Sequence, residues 1–269
     1  MSRRPLIRAR EGVVLLVLAV ALSGCAQGDD PRADEPSETA TGIPAPVQSP
    51  TATGTPTPTP EPEPAPTFDR AARSIDDPAS LWVVANKLRP LQPLDFAPGD
   101  LRTAAIPFVY EPVLRDEAAT AAEQLVAAAA AEGIALTAQS SYRSYGSQQR
   151  VYAGWVAQLG QQAADLTSAR PGHSEHQTGL SIDFSAVPAN CTLDQCFAQT
   201  PQGQWLAANA WRFGYHLRYP ERATPVTGYE FEPWHFRYVG PELAAELHAT
   251  GIRTLEEFFG LPPAPDYAG

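Results

Sequence analysis

Apolar and polar positions change their period several times along the chain, and each change predicts an element. From Asp116 to Glu132 alanine dominates, two acids stand at the front and Gly133 follows, which predicts a helix. Ile134 to Gln139 then has the length and partial alternation of a strand. Val151, Trp155 and Leu159 recur every fourth residue, predicting a helix from about Ser147 to Leu159 with these three on one apolar face. The run Leu180-Ser181-Ile182-Asp183-Phe184 alternates strictly, so as a strand it buries Leu180, Ile182 and Phe184 and turns Asp183 away from the core face.

Thr200-Pro201 predicts an N-cap with proline at the first helical position, opening a helix through Trp205 and Leu206 to about Ala210. Aromatic-rich strands are expected at Tyr215 to Tyr219 and Tyr229 to Val239. Pro241 to Ala249 reads as a helix closed by Gly251, and Thr254 with Glu257 matches a capping box opening a last short helix. Helices and short strands without a repeating strand-helix-strand order predict an α+β domain, with no internal repeat.

The front of the chain has a different texture. Arg3, Arg4, Arg8 and Arg10 precede an apolar run from Val13 to Leu22, and Ser23-Gly24-Cys25 follows. Basic, apolar and then small residues before a cysteine form a secretory signal, here residues 1–24, and the apolar run is short for a membrane span. The residues around Cys25 resemble a bacterial lipobox, which implies lipidation of that thiol and a protein held on the outer face of the cytoplasmic membrane. Up to about Phe68 the chain is rich in Pro, Thr, Ala and Glu, without an apolar face, so residues 25–75 are expected to be the lipidated cysteine and an extended tether.

Charge and cysteine content narrow the function further. The chain carries 19 Lys plus Arg against 30 Asp plus Glu, a net charge of −11, which argues against a nucleic-acid partner. Nothing in the pattern implies an oligomer. With Cys25 assigned to lipid, Cys191 and Cys196 remain, and in an exported protein so close a pair is expected to form a disulfide rather than a metal site.

Three stretches can carry chemistry: Ser141-Tyr142-Arg143-Ser144-Tyr145-Gly146-Ser147-Gln148, Ser174-Glu175-His176-Gln177-Thr178-Gly179-Leu180-Ser181-Ile182-Asp183, and Glu232-Pro233-Trp234-His235. A catalytic zinc needs three imidazole or carboxylate ligands and one open position. His176, Asp183 and His235 supply such a set, and Gly179 permits the turn that brings His176 beside Asp183. Glu232 is then close enough to activate a zinc-bound water without being a ligand. Arg143 offers a planar cation for a substrate carboxylate. His173, His216 and His248 are expected to be ordinary core or surface histidines.

Together these stretches resemble the VanY-type D-alanyl-D-alanine carboxypeptidases, LAS-type zinc metallopeptidases within the wider group that includes lysostaphin-like enzymes and the hedgehog fold. The resemblance spans Leu81 to Gly240 and rests on Ser-x-His-x-x-Gly-x-x-x-Asp combined with Glu-x-x-His. It implies a single zinc domain over residues 76–269, with a small antiparallel sheet flanked by helices. It implies zinc held by His176, Asp183 and His235, Glu232 as general base and Arg143 binding the substrate or stabilising an oxyanion. Ser174, Gln148 and Tyr229 fall where related enzymes bind substrate. Ser181 departs from the alanine usual at that position. The implied reaction is removal of the terminal D-alanine from peptidoglycan stem peptides. An L,D-carboxypeptidase, a D,D-dipeptidase and a catalytically silent wall-binding module are the alternatives.

Overall fold

The computed structural model describes residues 67–268. The expected signal peptide, Cys25 and the expected tether up to residue 66 lie outside the described residues. Packing begins ahead of residue 76, because Phe68 stacks on Trp82 at 5.5 Å and meets Phe258 edge-on at 5.7 Å, while Arg70 donates to the Phe258 carbonyl at 2.8 Å. Among the described residues no helix is long and apolar enough to cross a membrane.

Two antiparallel sheets organise the α+β domain. The smaller pairs β1 (Leu101–Thr103) with β2 (Val113–Arg115). The larger has the order β3-β4-β6-β5, built from β3 (Leu136–Ser140), β4 (Ser181–Ala186), β5 (Tyr215–Leu217) and β6 (His235–Tyr238), all neighbours antiparallel. Helix α1 (Asp116–Ala131) lays Ala118, Ala122, Leu125 and Ala129 into the core, and the Tyr215 hydroxyl donates to the Ala118 carbonyl at 2.6 Å. Leu180, Ile182 and Phe184 are fully buried there, with Phe184 edge-on to Tyr215 and Phe236. Burying each such side chain contributes about 1.5–3 kcal/mol.

The predicted alternation of β4 therefore holds on its core face, but the opposite face is covered as well. Ser181, Asp183 and Ser185 are buried beneath the one-turn helix Glu175–Thr178 and the 191–196 loop, with Ser185 bonded to Thr192 at 2.9 Å. A strand buried on both faces can hold a carboxylate away from bulk water.

Helices α2 (Tyr145–Leu159) and α3 (Gln161–Thr167) pack on each other beside the cleft, followed by α4 (Pro201–Asn209), α5 (Thr224–Thr227), α6 (Pro241–Thr250) and α7 (Leu255–Phe259). The expected caps form: Thr200 Oγ1 accepts from Gly203 N, and Thr254 Oγ1 accepts from Glu257 N. Helix α2 differs from its sequence reading. It starts two residues earlier, capped by Ser144, and of Val151, Trp155 and Leu159 none is buried. Its buried side chain is Gln148, since the helix lies at the rim of a cleft with Trp155 in the cleft wall.

The strand expected over Tyr229 to Val239 shortens to β6. Pro233 has no N–H for a ladder. The bonds from Glu232 N to the Tyr219 carbonyl and from His235 N to the Glu232 carbonyl fold residues 229–234 into a loop instead.

Candidate active site and metal centre

Sheet register brings the first two chemical groups together. Asp183 on β4 stands directly opposite His235 on β6, and His235 Nδ1 lies 2.9 Å from Asp183 Oδ1. His176 arrives from the one-turn helix, which ends on Gly179 at φ 67°. A Cβ at Gly179 would sit 2.8 Å from Leu101 Cδ2, so both the left-handed backbone and the close approach require glycine. The turn leaves His176 Nε2 3.3 Å from Asp183 Oδ2. One donor atom from each of His176, Asp183 and His235 lies within 4.8 Å of the others, a cluster that could hold a metal ion, and all three residues are buried.

Hydrogen bonds behind the cluster orient it. His176 Nδ1 faces the Ser141 carbonyl at 2.7 Å, which places the proton on Nδ1 and leaves the Nε2 lone pair toward Asp183. Burial and the charge of Arg143 lower the His176 pKa to about 4, so the ring is a neutral ligand near pH 7. Burial disfavours protonation of His235, yet Asp183 and Glu175 raise its pKa to about 9, so a proton meets the converging negative charge where a cation could otherwise lie. For Asp183 burial opposes ionisation, but the two histidines hold the carboxyl far below its usual range.

Two further glutamates flank His235. Glu232 Oε2 is 3.8 Å from Nδ1, and burial pushes its carboxyl up to about 8 against the opposing pull of His235 and Arg143. Glu175 Oε2 is 3.8 Å from Nε2. Glu175 is sealed under the site, with Arg218 Nε donating to its Oε1 at 2.8 Å and Arg237 NH1 at 3.0 Å but outside hydrogen-bond geometry. Arg218 also forks onto Glu256 at 2.7 and 2.9 Å, and Asn86 Nδ2 donates to Glu256 Oε1 at 3.0 Å.

A cleft of about 650 Å³ opens over the cluster. Arg143, Ser174 and Tyr229 line it, as do Trp155, Tyr219 and Trp234. Arg143 is half-buried with Asp183 and Glu232 as its charge partners, and its Nε is buried with no hydrogen-bond partner among the described residues. Tyr229 presents its ring, tilted against that of Tyr219 with centroids 4.8 Å apart, while its hydroxyl turns toward Tyr267 at 3.2 Å.

Gln148 is not brought to the cleft surface. Its Nε2 donates to Ser168 Oγ at 3.2 Å and to the Ala169 carbonyl at 2.7 Å, which ties α2 to a wall segment from behind. Cys191 and Cys196 are joined, and the loop they close contributes Thr192, Leu193, Asp194 and Gln195 to the opposite lip.

Sequence reasoning missed the ionic floor of Glu175, Arg218, Arg237 and Glu256, together with Tyr219, whose ring lies 4.9 Å from that of His235. One signal was available: Arg218 and Arg237 stand within apolar aromatic runs, where a cation needs a buried partner. Of the other histidines, His173 bonds the Asn86 carbonyl, His248 stacks on Trp211 at 4.0 Å, and none joins the cluster.

Residues 111–241 match the family model described as VanY, D-alanyl-D-alanine carboxypeptidase. The chain is 37% identical over 191 residues to the protein YodJ of Bacillus subtilis (strain 168), which carries a carboxypeptidase name, covering 69% of each chain. The solved LdcB LD-carboxypeptidase is similar at 37% identity with a TM-score of 0.63, covering 68% of this chain and 87% of that one. A vancomycin-resistance D,D-pentapeptidase VanY solved with Zn(II) is similar at 30% identity with a TM-score of 0.56, covering 66% of this chain and 98% of that one. With its buried His-Asp-His cluster and adjoining glutamate inside the matched region, the chain belongs to the VanY D-alanyl-D-alanine carboxypeptidase family.

Proposed function

We propose that this protein is a zinc-dependent carboxypeptidase that removes the terminal D-alanine from peptidoglycan stem peptides. The observation that carries the reading is one cleft in which a cluster of two imidazoles and a carboxylate, a raised glutamate and a half-buried arginine meet. Two neutral-capable imidazoles and one carboxylate suit zinc as a donor set. His176, Asp183 and His235 would hold the ion, which supplies Lewis acidity toward a carbonyl and lowers the pKa of water.

The chain's own residues do the rest. Glu232 is near the cluster but outside it, and its buried carboxyl has a proton affinity suited to accepting a proton from water and passing it to the departing amine. Beside a bound cation the Glu232 carboxyl would favour its ionised form and stand ready as the base. Arg143 holds the terminal carboxylate of the peptide and so sets the last peptide bond over the metal cluster. Tyr219, Trp155 and Trp234 shield the site from water and strengthen these charge interactions.

The test compares a pentapeptide stem ending in D-Ala-D-Ala with its C-terminal amide and with the tetrapeptide. The acid is expected to be cleaved and the amide to lag by about 30-fold or more, since an unpaired buried charge costs about 2–5 kcal/mol. Equal cleavage of acid and amide would sink the exopeptidase reading. Likeness to the LdcB LD-carboxypeptidase at higher identity and TM-score than to the VanY structure favours a second reading, an L,D-carboxypeptidase. Preference for the tetrapeptide would select it.

We also propose that the protein is exported and held at the membrane through Cys25, on the strength of the basic-apolar-small-Cys order of the first 25 residues. Cys25→Ala is expected to move the protein from the membrane fraction to the soluble fraction of cells. An unchanged distribution would reject the anchor.

A further inference from the structure

The segment after α7 lies beyond the residues matched by the family model and yet is seated tightly. Ala264 is fully buried and its N–H donates to the Val226 carbonyl at 2.8 Å. Its own carbonyl closes on Gly228, where a Cβ would come within 2.5 Å, so this turn admits only glycine. Lys87 Nζ donates to the Pro265 carbonyl at 3.2 Å. These contacts deliver Tyr267 to the back of the cleft.

There a single hydroxyl meets two different walls. Tyr267 Oη accepts from Arg170 N at 2.8 Å and lies 3.2 Å from Tyr229 Oη. Arg170 directly follows the cleft-lining residues Thr167, Ser168 and Ala169, whereas Tyr229 belongs to the loop that carries Glu232. The walls meet again where Glu230 N donates to the Leu166 carbonyl at 3.2 Å. The Tyr267 ring is held in turn, with the Arg170 guanidinium 4.1 Å from its centroid and His173 edge-on at 5.0 Å. Arg170 is itself fixed by Asp165 at 2.9 and 3.1 Å. From Tyr229 a row of tilted ring contacts continues through Tyr219 to His235, with centroid spacings of 4.8 and 4.9 Å.

We propose that Tyr267 is a positioning residue: its hydroxyl joins the 167–170 wall to Tyr229 and so fixes the width of the substrate cleft from behind. The inference rests on the carboxypeptidase reading of that cleft. Tyr267 touches neither the metal cluster nor Glu232, so its loss should act on substrate placement and spare the ligand set. Tyr267→Phe keeps the ring against Arg170 and His173 and removes only the bridge.

The experiment measures kcat, KM and zinc content of the wild-type protein, Tyr267→Phe, Tyr229→Phe and the double variant, with amide hydrogen exchange at Arg170 as a readout independent of turnover. Tyr267→Phe is expected to raise KM about three- to tenfold, as for one net hydrogen bond, with kcat within about twofold, zinc unchanged and protection at Arg170 reduced. The double variant should be little worse than either single one, since both remove the same bridge. A KM unchanged in Tyr267→Phe, or additive effects of the two substitutions, would overturn the proposal, even where thermal stability falls. Wild-type protein that turns over no stem peptide would instead overturn the carboxypeptidase reading, and with it the role given to Tyr267.

Discussion

Glu175 and Glu232 stand 3.8 Å from opposite nitrogens of the same imidazole, and the two sides of that ring hold their protons in opposite ways. On the floor side, burial opposes ionisation of Glu175, but Arg218 and Arg237 overcome it and keep the carboxyl charged far below the usual range. On the cleft side, burial dominates over His235 and Arg143, and the Glu232 carboxyl rises to about 8. Proximity to a metal cluster therefore does not assign a role. The dedicated cations of the floor make Glu175 a fixed charge, and their absence beside Glu232 leaves a group able to exchange a proton near neutral pH.

The sharpest way to break the comparison is to neutralise each glutamate by the same change. Glu232→Gln should lower kcat by about 10²–10⁴-fold, the usual contribution of a general acid-base group, with zinc content and thermal midpoint close to wild type. Retained turnover would move the proton-transfer role elsewhere. Loss of zinc would make Glu232 a ligand. Glu175→Gln should instead act on the scaffold. With one carboxylate gone, Arg237 loses its charge partner and Arg218 keeps only Glu256, which should cost about 3–5 kcal/mol of stability by urea unfolding. Because Glu175 also backs His235, zinc affinity should fall about 10–100-fold. A stable Glu175→Gln protein with wild-type affinity would show that the floor is not required on that side of the ring.

The same contrast explains what could be read from sequence. The alternation Leu180-Ser181-Ile182-Asp183-Phe184, the glycine at position 179 and the two motifs around His176 and His235 are local signals, and sheet register converts them directly into the cluster. The caps at Thr200 and Thr254 were legible for the same reason, since each acts within its own first turn. The floor was not, because Glu175, Arg218, Arg237 and Glu256 come from four separate segments and gain their meaning by meeting in the interior. Periodicity misled at α2, where Val151, Trp155 and Leu159 share a face that looks onto a cleft and solvent rather than onto the core. Gln148 was assigned to substrate from its place in a motif, whereas the fold gives it the Ala169 carbonyl behind the wall. An open cleft and a packed interior can impose the same apolar spacing on a helix.

The smallest expected effect tests how finely the floor is tuned. Ser181 is fully buried, pairs with Arg237 across the sheet, and directs its hydroxyl at Glu175 Oε2 from 3.5 Å, the oxygen that faces His235. A hydrogen bond to a charged acceptor typically contributes about 1.5–3 kcal/mol, but at this limiting length a contribution below about 1 kcal/mol is expected. Alanine removes one oxygen and leaves Glu175 with Arg218 and Arg237, so its charge remains compensated. Ser181→Ala should therefore keep its zinc, lose at most about 1 kcal/mol by urea unfolding, and stay within about fivefold of wild-type kcat/KM. If it instead reproduced the zinc loss of Glu175→Gln, the orientation of the floor carboxylate, and not its charge alone, would be what holds His235 in place.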